Sequence, residues 1–139
     1  MGFFPNIRYN IARRRTLFQL LVIAPLGLFL KLYSPPGSWV HDSGAGVLYE
    51  IFWIYLFFIV WPGRLAIHRV PVGVFVGTCV LEVSQLVETP FLESLRSSFV
   101  GVSLIGETFA WWDFPHYAAG CLIGWLGLRL SVMNERDFI

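Results

Sequence analysis

The stretch VPVGVFVGTCVLEVSQLV, residues 70–87, decides the fold. It has the length and apolar character of a membrane-crossing helix, which needs roughly 17–25 mostly apolar residues. One carboxylate, Glu82, sits inside it, and Gln85 follows one helical turn later. An ionisable group in lipid is costly, so it faces a protein interior, a watery cavity or a partner. Glu82 is therefore a functional candidate by default, beside the plainer reading of a neutral acid hydrogen-bonded across helices.

The rest of the chain has the same character. Of 139 residues, 56% are hydrophobic, 17% aromatic and only 14% charged, against roughly a quarter charged in a soluble domain. Three further apolar runs, 16–33, 46–61 and 112–133, complete four transmembrane helices with residues 70–87. The expected fold is all-α: a multi-pass integral membrane helical bundle, with residues 1–139 forming a single domain. The first run carries no small-residue cleavage pattern and is read as a retained span. Pro25 and Gly27 interrupt it, which predicts a bend, and Lys31 near its end can snorkel to the interface. In the second run Tyr49, Trp53, Phe57 and Trp61 recur every four residues on one face. That stripe is either a pigment or quinone platform or, as we favour, a packing or lipid-facing stripe with interfacial anchors. Gly120 and Gly124 form a GxxxG step in the fourth run, extended by Gly127, for close helix packing within the bundle or in a dimer. Cys79 and Cys121 lack metal-ligand spacing and read as small hydrophobes.

Net charge is only +1, but its distribution sets an orientation. Arg8, Arg13, Arg14 and Arg15 precede the first span, Arg64 and Arg69 separate the second from the third, and Arg129 and Arg136 lie near the C-terminus. The other connections are more acidic, with Asp42 in one and Glu88, Glu93, Glu107 and Asp113 against Arg96 in the other. The positive-inside rule then puts both termini in the cytoplasm. Between spans three and four, Phe91, Leu92, Leu95 and Phe99 fall on one helical side, which predicts a short helix in the outer interface. Glu93 and Arg96 are spaced to pair on it at i,i+3. Trp111 and Trp112 then sit at headgroup level.

This orientation gathers the polar residues at the outer end. Glu82 lies about one and a half turns below the outer end of its span, and Glu50 about one turn below that of the second. Lys31 ends the first span, and Asp113, His116 and Tyr117 open the fourth. His41 and Asp42 occupy the first outer loop. Thr78, Glu82, Gln85 and Thr89 share one helical face, and Asp113, His116, Tyr117, Gly120 and Gly124 share another. If the faces meet, the carboxylates of Glu82 and Asp113 approach and need a counter-charge. Arg96 is the better candidate than Lys31, because its fork can bind two carboxylate oxygens. Plainer roles remain: Asp113 as a helix cap, Glu50 as a solvated near-surface residue, and His68 as a polar group of the cytoplasmic loop.

Other chemistries find no motif. The histidines are too scattered for a metal site, no GxSxG elbow or Walker glycine loop is present, and no basic face is left for nucleic acid. No cofactor and no metal are expected.

Glu82-x-x-Gln85, Arg96, Phe109, Asp113, Gly120 and Gly124, in that order, resemble the VanZ-like membrane proteins of bacteria. Residues 31–53, KLYSPPGSWVHDSGAGVLYEIFW, make the chain more similar to a relative of that group, the domain of unknown function 2809 family. The resemblance covers residues 31–125. It implies a VanZ-type bundle in the bacterial cell (inner) membrane. VanZ proteins are associated with resistance to lipoglycopeptides, which act at the outer leaflet. VanZ-like sequences carry Asn where this chain has Tyr117, and a phenol cannot supply an amide's paired donor and acceptor.

Two functions follow as expectations. In one, Glu82, Gln85, Arg96, Asp113, Tyr117, His116, Glu50, Asp42 and Lys31 form a polar site that binds an amphipathic or lipid-linked envelope ligand, with acid–base work by Glu82 an open option. In the other, the chain is an accessory subunit of a larger membrane complex without its own catalysis. The partners are the lipid bilayer and either such a ligand, membrane proteins or a second copy.

Overall fold

The computed structural model describes residues 5–106 and 108–133, with side chains from Tyr9 onward. Arg136 and Glu107, and the side chain of Arg8, all used in the charge reading, lie outside what is described. Among the described residues the chain is entirely helical. Helix α1 spans Pro5–Tyr33, α2 Ala45–Val60, α3 Ala66–Ser84, α4 Pro90–Arg96, α5 Phe99–Ile105 and α6 Asp113–Met133. A π-helical turn, Val40–Gly44, leads directly into α2.

The helix ends follow from local chemistry. Trp61 leaves the helical region at φ −125° and ψ 71°, because the following Pro62 disfavours an α conformation before it. Pro115 sits in the first turn of α6, where an amide hydrogen has no intrahelical partner to lose. Helix α1 starts well before residue 16, since the arginine-bearing turns continue the helix beneath the apolar run. Straight-chain arginine loses little rotamer freedom in a helix. Ala12 and Thr16 are both fully buried there.

The four long helices alternate in direction. At one end Tyr117 of α6 bonds Glu82 of α3, and Gly27 of α1 faces Leu48 of α2. At the other end Trp125 Nε1 of α6 donates to Nδ1 of His68, 3.1 Å away in the first turn of α3. His68, expected in a loop, is thus helical and bonded. Helix α2 is central, touching α1, α3 and α6. Its Ile54 and Phe58 and Leu128 of α6 are fully buried.

The glycine strip explains the close α2–α6 contact. A Cβ added at Gly120 would lie 2.7 Å from Glu50 Cβ and 2.8 Å from the Val47 carbonyl oxygen. One at Gly124 would lie 2.8 Å from Ile54 Cδ1, and one at Gly127 would run into the Tyr55 hydroxyl. The GxxxG step therefore packs inside the bundle.

The outside is apolar. Phe18, Leu21, Val72, Val80, Leu122 and Leu130 all stand exposed. An exposed apolar surface this continuous marks contact with lipid or another protein. Among the described residues three helical stretches are long and apolar enough to cross a membrane: Tyr9–Tyr33, Val40–Val60 and Ala66–Ser84. Helix α6 has 21 residues and is more polar, since it carries Asp113, His116, Tyr117 and Arg129.

The connection after α3 differs from the single short helix expected. It holds two, α4 and α5. Ser98 interrupts them with an extended backbone, φ −99° and ψ 150°, and its hydroxyl accepts the Gly101 N–H at 3.0 Å. A serine that offers the backbone this local bond favours a cap over a helix interior. Thr89 likewise caps α4 by accepting the Leu92 N–H, so it does not continue the Glu82 face.

Candidate functional site

Glu82 is 1% exposed and its carboxylate is held by three donors. Oε1 accepts the Ala110 N–H at 2.8 Å. Oε2 accepts the Tyr117 hydroxyl at 2.8 Å and the Gln85 side-chain amide at 3.2 Å. All three partners donate, which suits an acceptor-only carboxylate. The same Gln85 nitrogen also donates to the Ile105 carbonyl at 2.8 Å. Acceptors on both contacts fix which end of the amide faces them.

These bonds tie the end of α3 to the end of α5 and the start of α6. Gly106 makes the junction possible. Its φ of 81° ends α5, and a Cβ there would lie 2.5 Å from the Gln85 side-chain nitrogen. Glycine populates this left-handed region at no steric cost.

Beside the carboxylate lies a cavity of about 600 Å³. Glu82, Gln85, Asp113, Tyr117, Asp42 and Lys31 contribute to its wall. Asp113 stands next to Glu82, close enough to interact with its carboxylate. It opens α6 as the first helical residue. Asp42 is engaged by His41 Nδ1 at 2.6 Å. Buried in the wall, Gln85 Oε1 and Ser103 Oγ have no hydrogen-bond partner. His41, Tyr49, Thr78 and Thr108 add polar groups to the wall, and its apolar part runs from Ile23 and Leu28 on α1 to Phe52 on α2 and Val102 on α5.

Three residues expected in this cluster stand apart from the cavity wall. Arg96 turns away, donating to the Ser84 carbonyl at 3.3 Å, while its Nε is buried without a partner. Among the described residues no ion pair joins it to Glu82, Asp113 or Glu93. Its place at the last turn of α4 aims the guanidinium at the exposed carbonyls ending α3, an interaction cations favour at helix C-termini. His116 Nδ1 contacts the Trp112 carbonyl at 2.5 Å, and its ring lies edge-on to Trp39. Glu50 is the largest departure. It is fully buried, not solvated. Its Oε2 accepts the Cys121 thiol at 3.0 Å, and its Oε1 has no partner. The reason is the glycine strip: Gly120 lets α6 close over the turn of α2 that carries Glu50.

Backbone groups were invisible to residue-type reasoning. The Ala110 N–H and the Ile105 carbonyl complete the site, and Gly106 positions them. The one sequence signal was an isolated glycine at the end of an apolar run, the mark of a helix stop. The aromatic stripe lines a second feature, an apolar groove of about 440 Å³ between α2, α3 and α5. There Trp53 stacks on Phe57 at 5.6 Å, and Tyr49 donates to the Leu104 carbonyl at 2.8 Å. Among the described residues no group of three His, Cys, Asp or Glu side chains could hold a metal.

An all-helical bundle with membrane-compatible helices, closed at one end around a buried carboxylate held by three donors, is the class these features define. Within that class, the chain belongs to the family described as Protein of unknown function (DUF2809), whose model matches residues 36–121. The match takes in the whole of α2, α3, α4 and α5, and with them Glu82, Arg96, Asp113 and Tyr117. No curated protein and no solved structure gives a significant match.

Proposed function

We propose that this chain is a single-domain, four-span protein of the bacterial cell (inner) membrane, in which the cavity beside Glu82 binds an amphipathic or lipid-linked envelope ligand. Helix α6 serves as the fourth span, since its 21 residues exceed the 16 of α2 and the 19 of α3 and it packs antiparallel against α3. Both termini face the cytoplasm. Arg13, Arg14, Arg64 and Arg69 stand at the bundle end opposite the cavity, which supports that orientation. The cavity then opens toward the outer leaflet. The VanZ-like order of Glu82, Gln85, Arg96 and Asp113 supports the bacterial envelope setting.

One observation carries the reading: charged, amide and hydroxyl groups converge on a cavity that also has an apolar stretch of wall from α1, α2 and α5. Ligand sites have this composition, with a few placed polar groups in an apolar cleft of roughly 300–1,000 Å³. Complementation tests it. In a strain lacking the gene, Glu82→Gln keeps the shape of the site and removes its charge. Failure to rescue an envelope phenotype supports the reading, and full rescue refutes a charge-based site.

The second reading is an accessory subunit of a larger membrane assembly. It is favoured by the apolar groove along α3, where a Cβ added at Gly73 or Gly77 would meet nothing within 4 Å among the described residues. Small residues on an open face let another helix approach closely. Purification in mild detergent separates the two: a stable large complex supports the subunit reading, and a monomer or homodimer carrying lipid supports the first.

A further inference from the structure

We propose that the ligand taken by this cavity carries a primary ammonium beside a phosphate, the headgroup chemistry of an aminophospholipid. The inference rests on the cavity being a lipid site and specifies what that site selects.

Among the described residues no lysine or arginine pairs with the carboxylate of Glu82 or Asp113. Glu82 and Asp113 lie side by side, yet among the described residues neither forms an ion pair. Arg96, the cation that sequence spacing offers, is committed to the Ser84 carbonyl. Asp42, also on the wall, has only His41 as its partner. Adjacent like charges in a low dielectric repel strongly, so a bound cation is favoured there.

Around Glu82 and Gln85 the hydrogen-bonding capacity left over is acceptor. Glu82 Oε1 receives one donor, and a carboxylate oxygen has room for about two. Asp113, which interacts with Glu82, stands on the same wall. Gln85 Oε1, held on the acceptor side by the orientation of its amide, is buried and unpartnered. A primary ammonium brings three N–H donors and no acceptor, which complements these three groups. A quaternary ammonium brings none and would leave them unsatisfied.

Lys31, on α1, also contributes to the wall. Among the described residues it has no ion-pair partner. Lysine binds phosphate as a point charge. With a lysine contributed by α1 and carboxylates by α3 and α6, the wall carries both signs, as a zwitterionic headgroup does. Its apolar wall, with Ile23, Leu28, Phe52 and Val102, continues along α1 and α2 to receive acyl chain. A free phosphoamine would gain nothing from that wall.

The test uses the full chain in mild detergent, offered an equimolar mixture of phosphatidylethanolamine, its mono-, di- and trimethylated forms and phosphatidylglycerol, with retained lipid read by native mass spectrometry. Retention is expected to fall with each N-methyl, and phosphatidylglycerol to be held least. Asp113→Asn is expected to reduce retention of the primary amine about tenfold or more, the size of a lost charge-assisted bond. Lys31→Gln is expected to weaken all the phospholipids alike. If the unmodified chain holds the trimethylated lipid or phosphatidylglycerol as well as the primary amine, the ammonium assignment is wrong. Loss of that lipid on Asp113→Asn would then still uphold the cavity as a lipid site. Retention unchanged in both variants overturns the inference and the lipid-site reading together. Should Asp113→Asn not fold, the methylation series on the unmodified chain decides alone.

Discussion

Replacing Gly120 with alanine tests the packing on which the buried carboxylates depend. The added methyl would lie 2.7 Å from Glu50 Cβ and 2.8 Å from the Val47 carbonyl oxygen, where carbon atoms sit comfortably at about 3.5–4.0 Å. Both obstacles are rigid, one being backbone and the other the first atom of a side chain. Helix α6 must therefore retreat by roughly 1 Å, and gaps of that size forfeit about a quarter to a half of each contact's attraction. Overpacking of this kind costs about 1–3 kcal/mol, while alanine regains up to about 1 kcal/mol of helix propensity over glycine. The expected net loss is about 1–2 kcal/mol. Internal controls sharpen it. Gly124→Ala meets chiefly the flexible tip of Ile54 and should fall within about 0.5 kcal/mol of the parent, strain and propensity offsetting. Gly73→Ala and Gly77→Ala meet nothing and should stabilise, by up to about 1 kcal/mol each. Reversible unfolding in mixed micelles of rising sodium dodecyl sulfate fraction, followed by circular dichroism and tryptophan fluorescence, measures all four. Gly120→Ala as stable as the parent, or Gly73→Ala as damaging as Gly120→Ala, would refute the assignment of the strip to the α2–α6 contact.

Three other outcomes follow from the geometry. A double-mutant cycle of Tyr117→Phe with Glu82→Gln should give a coupling of about 1.5–3 kcal/mol, the range for bonds to charged groups; a value near the roughly 0.6 kcal/mol average for interhelical bonds in membranes would mean that Glu82 is not held as a carboxylate. Gly106→Ala forces a side chain into the left-handed region and onto the Gln85 amide, so a loss of about 1–2 kcal/mol and faster hydrogen exchange at the Ala110 amide are expected. Unchanged exchange there would detach Gly106 from the site. Ser98→Ala removes the cap of α5 at a cost of about 0.5–2 kcal/mol, visible as lost protection at Gly101 and Val102 while the long helices keep theirs; intact protection would mean the cap bond is not formed.

Much of the architecture could be read from the chain because lipid imposes a strong rule: backbone groups must be satisfied within the segment, so a long apolar run becomes a helix. Residues 70–87 and the aromatic run before Pro62-Gly63 announce themselves in this way, and α3 and α2 occupy them with shifts of a few residues. Spacing also put Glu82 with Gln85 on one helical face and Asp113 with Tyr117 on another, since residues three and four apart share a face.

What spacing could not give was contact between elements. Whether Arg96 neutralised the carboxylates depended on where Ser98 broke the connection into two helices and on which carbonyls the guanidinium then met. Glu50 looked solvated from its depth along the chain, and is buried because Gly120 admits α6 against that turn. The donors to Glu82 include a backbone amide 28 positions away, and backbone groups are the same at every residue. Apolar periodicity is a property of one helix and is written in its own residues. The partner of a buried charge is a property of two or three helices, fixed only when they pack.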